Sequence, residues 1–400
     1  MSWGKASIGA KFASLWLGLN NTDVVYTSMP LYHSSASVLG VCAALRASST
    51  ICLSEKFSHR TFWPEVRDSS ATIIHYVGET CRYLLSAPPT PLDRSHKLRA
   101  AFGNGLRPDV WDAFKQRFGV QTIYEFYAAT EAPAGLWNRS TNGYSAGAIG
   151  RAGTLSSMLF SGRSCIIRVD TDTSPPTPLR SPTTNLCIPS APNTPGELLL
   201  RLDENNTTAG FQGYFNNSAA NASKILRSVK KEGDAWYRSG DLIRKDKEGR
   251  TWWVDRAGDT FRWKAENVSS AEVADALGRY EAVMEACVYG VKVPGHDGRA
   301  GCAALVLKSR MDVDEVTLTG LAEHVAKELP SYARPVWLRV TKSLEVTGTN
   351  KQQKSVLQGE GIDVGVVEGK GDALYWLQGG TYVRFGKRDV ERLEGGGVKL

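Results

Sequence analysis

WYRSGDLIRKDKEGRTWWVDRAGDTFRWKAENVSS, residues 236–270, gathers more structural signals than any other stretch of the chain. Ser239-Gly240-Asp241 reads as a turn, Lys247-Glu248-Gly249-Arg250 as a hairpin tip, and Thr251 to Val254 as a compact aromatic strand. Asp255-Arg256-Ala257-Gly258-Asp259 leaves that strand as a glycine-bearing joint, and Ser269 with Glu272 forms a capping box that opens a helix. A carboxylate following Ser-Gly can accept from both hydroxyls of a ribose, or Asp241 is an ordinary turn aspartate. Arg256 can neutralise a phosphate, reach the same ribose or form a surface ion pair.

Upstream, strand and helix signals alternate. Val24 to Pro30 reads as a strand entering a loop, Val38 to Leu45 as a packed helix, Thr50 to Leu53 as a strand and Ser58 to Asp68 as a helix. Ala71 to Val77 is a β-branched apolar run of the kind covered on both faces. After a helix over Glu79 to Ser86, the strand Lys97 to Phe102 ends in Gly103-Asn104-Gly105, where backbone can approach a ligand. A helix begun by Pro108 carries Trp111, Phe114 and Phe118 on one face and stops at Gly119. Val120 to Phe126 is the next strand, and Tyr127-Ala128-Ala129-Thr130-Glu131 leaves it. This order predicts an α/β fold with a parallel sheet, whose ligands bind beyond the carboxyl ends of the strands. Thr130 and Glu131 lie there; they suit a phosphate and its magnesium, or cap the next turn. Tyr127 can stack on a flat base.

Downstream, Asp170 to Gly196 is crowded with Pro, Ser and Thr and reads as an exposed linker or insertion. A small β-rich region follows up to Asp255, and after Gly258 a compact α+β unit begins. Its signals are strands at Cys287 to Val293, Gly301 to Leu307 and Val336 to Val340, and a helix striped by Leu318, Leu321, Val325 and Leu329. Lys351 sits in the polar loop Thr347-Gly348-Thr349-Asn350-Lys351, either solvated or able to carry a point charge to a phosphoryl transition state. His33, between Tyr32 and serines, has no second histidine or carboxylate at ligand spacing and is not a metal ligand.

Composition narrows the classes. The 400 residues are 42% hydrophobic and 22% charged, with a formal net charge of +7 and no basic block, so charge does not call for nucleic acid. Seven scattered cysteines without a CxxC pair read as free thiols of a reducing compartment. No signal peptide and no apolar run of membrane-spanning length is present, and Val398-Lys399-Leu400 only approximates a peroxisomal address. GxSxG and HExxH are absent, which disfavours hydrolase and zinc-protease chemistry.

MPLYHSSA, GNGLR, YEFYAATE, PGELLLR, YRSGDL, DRAGDTFRWKAENVS, YGVKVPGHDGRAG, LPSYARP and TGTNKQQK follow one another in the order seen in adenylate-forming enzymes. The chain most resembles the fatty acid transport protein / very-long-chain acyl-CoA synthetase branch, from near its first residue to the aromatic ending at Ala373 to Val383. The resemblance implies an AMP-binding large domain over 1–256, made of a partial parallel sheet and a small β-rich subdomain, and a mobile α+β domain over 257–400. It implies that Gly103, Asn104, Gly105 and Tyr127 line an adenine pocket, and that Thr130 touches phosphate while Glu131 holds Mg2+. Asp241 binds the ribose, Arg256 supports it, and Lys351 bridges the fatty carboxylate and the α-phosphate. His33 sits at the head of the acyl tunnel, and Gly258 and Asp259 form the hinge. The implied reaction joins a long or very long fatty acid to coenzyme A with ATP, at the cytosolic face of peroxisome, endoplasmic reticulum, lipid droplet or plasma membrane, with peripheral membrane association and no nucleic acid. The family's Ser/Thr/Gly-rich phosphate loop is expected upstream of Ser2, so the large domain reads as amino-terminally truncated, with an exposed sheet edge. Ala128 and Ala265 stand where the family pattern has glycine, which is costly wherever φ must be positive. Two alternatives accompany the ligase: an inactive nucleotide- or lipid-binding remnant, and a related adenylating enzyme acting on a non-fatty acid.

Overall fold

The structure is a computed structural model. It describes residues 1–395 apart from 154, 156–157, 159–161, 171–172, 174–175, 265, 295, 297, 309–312 and 346–352. Lys351, Ala265 and the Val398-Lys399-Leu400 ending lie outside the described residues.

The apolar run at 73–77 becomes β3 (Ile73–Val77), buried at every position. It is the middle of a six-stranded sheet whose other members are β1 (Val24–Thr27), β2 (Thr50–Leu53), β4 (Ala100–Asn104), β5 (Thr122–Tyr127) and β6 (Leu136–Ser140), ordered β2-β1-β3-β4-β5-β6. Pairing is parallel from β2 through β5 and antiparallel between β5 and β6. The expected parallel sheet therefore carries an antiparallel edge strand that its short turn of residues allows.

Side chains alternate between the two faces of these strands. Tyr26, Ile74, Tyr76, Ala101 and Ile123 pack against the helices Phe62–Asp68, Gly78–Ser86 and Pro108–Phe118 through Phe62, Val66, Leu84, Trp111 and Phe114. Val25, Ile73, Ala100, Phe102 and Tyr124 face the other way, toward Trp16 and Leu17 at the end of the helix Trp3–Trp16, and toward Leu39 and Ala44. Both layers are helical, so no strand of the centre meets water, and the carboxyl ends are left for loops.

The β-rich region forms a second sheet ordered β7-β14-β13-β11-β8, with β12 also on β13. These are β7 (Gly150–Arg151), β8 (Ser164–Ile167), β11 (Gly196–Leu202), β12 (Ile225–Arg227), β13 (Ala235–Lys245) and β14 (Arg250–Arg256); β9 (Val169–Asp170) and β10 (Thr177–Pro178) pair beside it. A hairpin of β15 (Phe261–Trp263) and β16 (Glu266–Val268) leads to the third sheet, ordered β17 (Val283–Lys292), β18 (Arg299–Leu307), β19 (Trp337–Val340), β20 (Ala373–Gln378) and β21 (Thr381–Arg384). The helices Ser270–Gly278 and Glu315–Glu328 bury Val273, Leu277, Leu318, Leu321 and Val325 in its core. Ser269 caps the first of these, its Oγ accepting from Glu272 N.

Four expectations need correction. Ser239-Gly240-Asp241 is no turn between segments but an irregularity inside β13, where Gly240 takes φ +77° and the ladder shifts register against β11. Asp170 to Gly196 is no linker: Arg168 N donates to Ile188 O, Cys187 N to Val229 O and Ser190 N to Ile166 O, which ties its described residues back onto the sheet. The helix expected over Val38 to Leu45 starts earlier, as a π-helix over Ser35–Cys42 continued by Ala43–Arg46. The helix expected from Ser58 starts at Phe62. The helix Trp3–Trp16 carried no signal in the sequence reading; Trp3, Ile8 and Leu15 on it are exposed, so its solvent side is apolar rather than polar. Among the described residues no helix is long and apolar enough to cross a membrane.

Candidate nucleotide site

Tyr127 ends β5 and Asp241 lies on β13, in two different sheets. Tyr127 OH donates to Asp241 Oδ2 at 2.5 Å, and Trp253 Nε1 donates to Oδ1 at 3.3 Å. The bulge makes this possible. Ser239 Oγ donates to Leu198 O at 2.7 Å, Gly240 N approaches Glu197 Oε1 at 3.3 Å, and Asp241 N donates to Ser239 Oγ at 3.1 Å. Glu197 is buried and held by Arg238 at 2.6 Å, so the bulge rests on a fixed ion pair. Burial, then the Asp241 charge, raises the Tyr127 phenol above its ordinary range and keeps it a donor. Each Asp241 oxygen keeps a further lone pair for an incoming hydroxyl. Arg256 lies directly opposite Asp241 in the β13–β14 ladder, so the two expected ribose residues share one rung.

The Thr130-Glu131 loop adjoins. Thr130 Oγ1 and Ser34 Oγ are 2.9 Å apart, which joins this loop to the segment carrying His33. His33 Nδ1 lies 2.8 Å from Ser35 Oγ. Glu131 Oε1 accepts from Tyr214 OH at 2.8 Å, and burial with that carboxylate pushes the Tyr214 phenol up to about 12. Lys5 Nζ donates to the carbonyls of Glu131 and Ala132 at 3.2 and 3.4 Å. Ala128 is not among the described residues with positive φ, so alanine costs no backbone strain at that position. Mg2+ takes one or two carboxylates together with phosphate oxygens and water; the lone Glu131 carboxylate beside Thr130 fits that donor set, and no cluster of three metal-ligating side chains occurs among the described residues.

Gly103 and Asn104 close β4, and Gly105 follows with φ +78°. A Cβ on Gly103 would lie 2.1 Å from Tyr76 O, and one on Gly78 would lie 1.7 Å from Gly105 O. Glycine is required at both by close backbone approach.

Gly258 and Asp259 follow β14. Asp259 Oδ2 is 3.3 Å from Lys354 Nζ, which also donates to Ser270 Oγ at 2.6 Å. Asp255, wholly buried, accepts from Ser270 N at 2.6 Å and from Ser270 Oγ at 2.8 Å, and so seals the start of the helix Ser270–Gly278. Across the same seam Arg107 pairs with Asp275 at 2.5 Å.

The structure thus brings Tyr127, Thr130, Glu131, Asp241 and Arg256 to one edge and sets His33 beside them, with Gly258 and Asp259 at the seam. The sequence reading missed Tyr214, Trp253, Lys5 and Lys354. Lys354 had a signal, since it stands three residues after Lys351 in TGTNKQQK.

A model of the AMP-binding enzyme family matches residues 6–211, and one of the AMP-binding enzyme C-terminal domain matches 272–351. The chain belongs to the AMP-binding enzyme family. Within it, the chain is 44% identical over 389 residues to the very long-chain fatty acid transport protein of Cochliobolus heterostrophus, covering 97% of this chain and 60% of that protein. It is 40% identical to isopenicillin N epimerase component 1 of Hapsidospora chrysogena, covering 94% of this chain and 62% of that one. The chain therefore spans about three fifths of the length of these curated relatives. The solved structure of O-succinylbenzoate coenzyme A synthetase from Bacillus subtilis with ATP and magnesium aligns at a TM-score of 0.66 and 21% identity, over 90% of this chain and 66% of that one. That likeness shows the fold: an adenylate-forming large domain followed by a smaller carboxyl-terminal one.

Proposed function

We propose that the protein is an ATP-dependent ligase joining a long or very long fatty acid to coenzyme A through an acyl-adenylate. The contact of Tyr127 with Asp241, beside Thr130 and Glu131 at the carboxyl edge of the sheet, supports this most directly. Asp241 accepts from the ribose hydroxyls while Tyr127 and Trp253 hold its carboxylate in place, and Arg256 on the opposite strand supports the same sugar. Gly103, Asn104 and Gly105 offer backbone to the adenine. Thr130 donates to phosphate, and Glu131, oriented by Tyr214, would hold a Mg2+ ion, which when bound would neutralise phosphate charge. Lys351 brings its ammonium to the fatty carboxylate and the α-phosphate as the carboxylate attacks phosphorus and pyrophosphate leaves. The coenzyme A thiol then attacks the acyl carbon, and AMP leaves. His33 stands at the head of the acyl passage, linked to Thr130 through Ser34.

The same reading divides the chain at 256/257, with Gly258 and Asp259 as the joint about which residues 257–400 rotate between half-reactions. Asp259 held by Lys354 fits such a joint. A water-insoluble substrate places the work at an intracellular membrane surface.

The experiment is ATP- and coenzyme A-dependent thioester formation with fatty acids of graded length. Loss of product in Lys351→Ala and Glu131→Ala supports the assignments. AMP binding without any thioester points to a non-catalytic binding protein. The similarity to an isopenicillin N epimerase component favours one further reading, a related ligase for a non-fatty acid; turnover confined to aromatic or peptide-like acids establishes it instead.

A further inference from the structure

Glu125 is an acid buried in the middle of β5, 1% exposed, with no place in the chemistry described above. Its surroundings are specific. Oε1 accepts from Gly105 N at 2.6 Å and from Leu106 N at 3.2 Å, and Oε2 accepts from Tyr76 OH at 2.5 Å. Both amides belong to the turn that follows β4, while Tyr76 belongs to β3 and Glu125 to β5. One carboxylate thus links three neighbouring strands under a single turn. The β3–β4 ladder holds Gly103 and Asn104 opposite Tyr76 and Val77, and the carboxylate takes over where that ladder ends, at Gly105 and Leu106. Gly105 takes φ +78°, the ends of β3 and β4 approach so closely that Gly103 and Gly78 admit no Cβ, and glycine resists no rotation by itself.

We propose that Glu125, oriented by Tyr76, is a positioning residue that fixes the Gly103-Asn104-Gly105 turn at the spacing an adenine ring needs. The inference rests on the adenine-pocket reading and adds the residue that shapes that pocket from beneath. Glu125 touches no ligand; it acts through the amides of Gly105 and Leu106. A charged acceptor is suited to this because hydrogen bonds to a carboxylate are roughly twice as strong as neutral ones. Burial pushes the Glu125 carboxyl up to about 8, against the pull of Tyr76 and the two amides. The clamp therefore tightens as the carboxylate ionises above neutrality.

The test uses the full chain with AMP as probe, comparing the native protein with Glu125→Gln and Tyr76→Phe. Calorimetry at pH 7 to 9 gives the AMP affinity, and amide hydrogen exchange reports Gly105 and Leu106. In the native protein AMP should bind more tightly as pH rises through about 8. In Glu125→Gln the affinity should fall roughly tenfold, the worth of about one charge-assisted hydrogen bond, and lose its pH dependence. Exchange at the two amides should rise, and Tyr76→Phe should show a smaller change of the same kind. A Glu125→Gln protein that binds AMP within twofold of native with the same pH profile overturns the inference, as does unchanged exchange at both amides. If the native chain binds no AMP, the nucleotide reading falls, and the exchange measurement still decides whether Glu125 holds the turn.

Discussion

The carboxyl edge of the large sheet and the seam that follows β14 are both rich in acids, but they are built differently. At the edge, Asp241, Glu125 and Glu131 are held by neutral donors: phenols, an indole and backbone amides. At the seam, Arg107 meets Asp275 and Lys354 meets Asp259, charge against charge, between segments far apart in sequence. Neutral donors in tight geometry fix an acid without satisfying its charge, which leaves Asp241 and Glu131 ready for a ligand and leaves Glu125 to hold the turn beneath them. Ion pairs at this largely buried seam satisfy each acid's charge in place, so the joint opens only by exchanging one set of charged partners for another. A site that must stay shaped and a joint that must move call for these two solutions. Asp255 is the exception at the seam, a buried acid that accepts from serine donors and a helix start, and it marks the part of the joint that stays fixed.

That contrast can be broken at the fixed point first. Asp255→Ala should cost about 3–5 kcal/mol, since it removes a buried acceptor and leaves Ser270 N and the helix start unpaired; a denaturation midpoint unchanged from native would place the joint's anchor elsewhere. Next comes Glu125. Its folded pKa, about 8, is raised above the ordinary glutamate value, so its contribution to stability is full below the ordinary pKa and is lost as pH rises through about 8. Glu125→Gln should therefore flatten the fall in native stability between pH 5 and pH 9, an effect on the order of 2–4 kcal/mol; parallel stability curves for the two proteins would contradict this. Smaller again, Asp241→Asn should weaken AMP at least tenfold, about 1.4 kcal/mol, while the melting temperature stays near native. A variant that instead melts early would make Asp241 structural. Smallest, Lys354→Gln, which keeps a donor on that side chain, should change stability by about 1 kcal/mol yet alter the balance of half-reactions, read as pyrophosphate exchange against thioester release. Equal changes in both steps would deny the seam its role in movement.

Much of the edge was legible in sequence because parallel strands must be followed by loops at one end, and Gly103-Asn104-Gly105 and Tyr127 to Glu131 are such loops. The π-helix at Ser35–Cys42 was not, because apolar density does not distinguish a wider turn from an α-helix. Asp241 was misplaced for a related reason: Ser-Gly-Asp signals a turn, and only the partner strands β11 and β14 show that the chain runs straight on. How Cys187 and Ser190 are held onto the sheet also depends on partners, Val229 and Ile166, that no local pattern names. Glu125 lay hidden inside an otherwise apolar strand, where a single acid reads as an edge position rather than a keystone.

The irregularity in β13 sets limits on how this protein can change over generations. Asp241 is held in an eleven-residue strand flanked by β11 and β14, with its rung fixed by Arg256 and its bulge fixed by Glu197 and Leu198. Inserting or deleting one residue between Trp236 and Asp241 would turn the carboxylate to the opposite face of the sheet, away from Tyr127. Substitutions near the bulge can be explored one at a time, but changes in length there are closed to drift, so the spacing from Trp236 to Asp241 should outlast the identity of the residues between them.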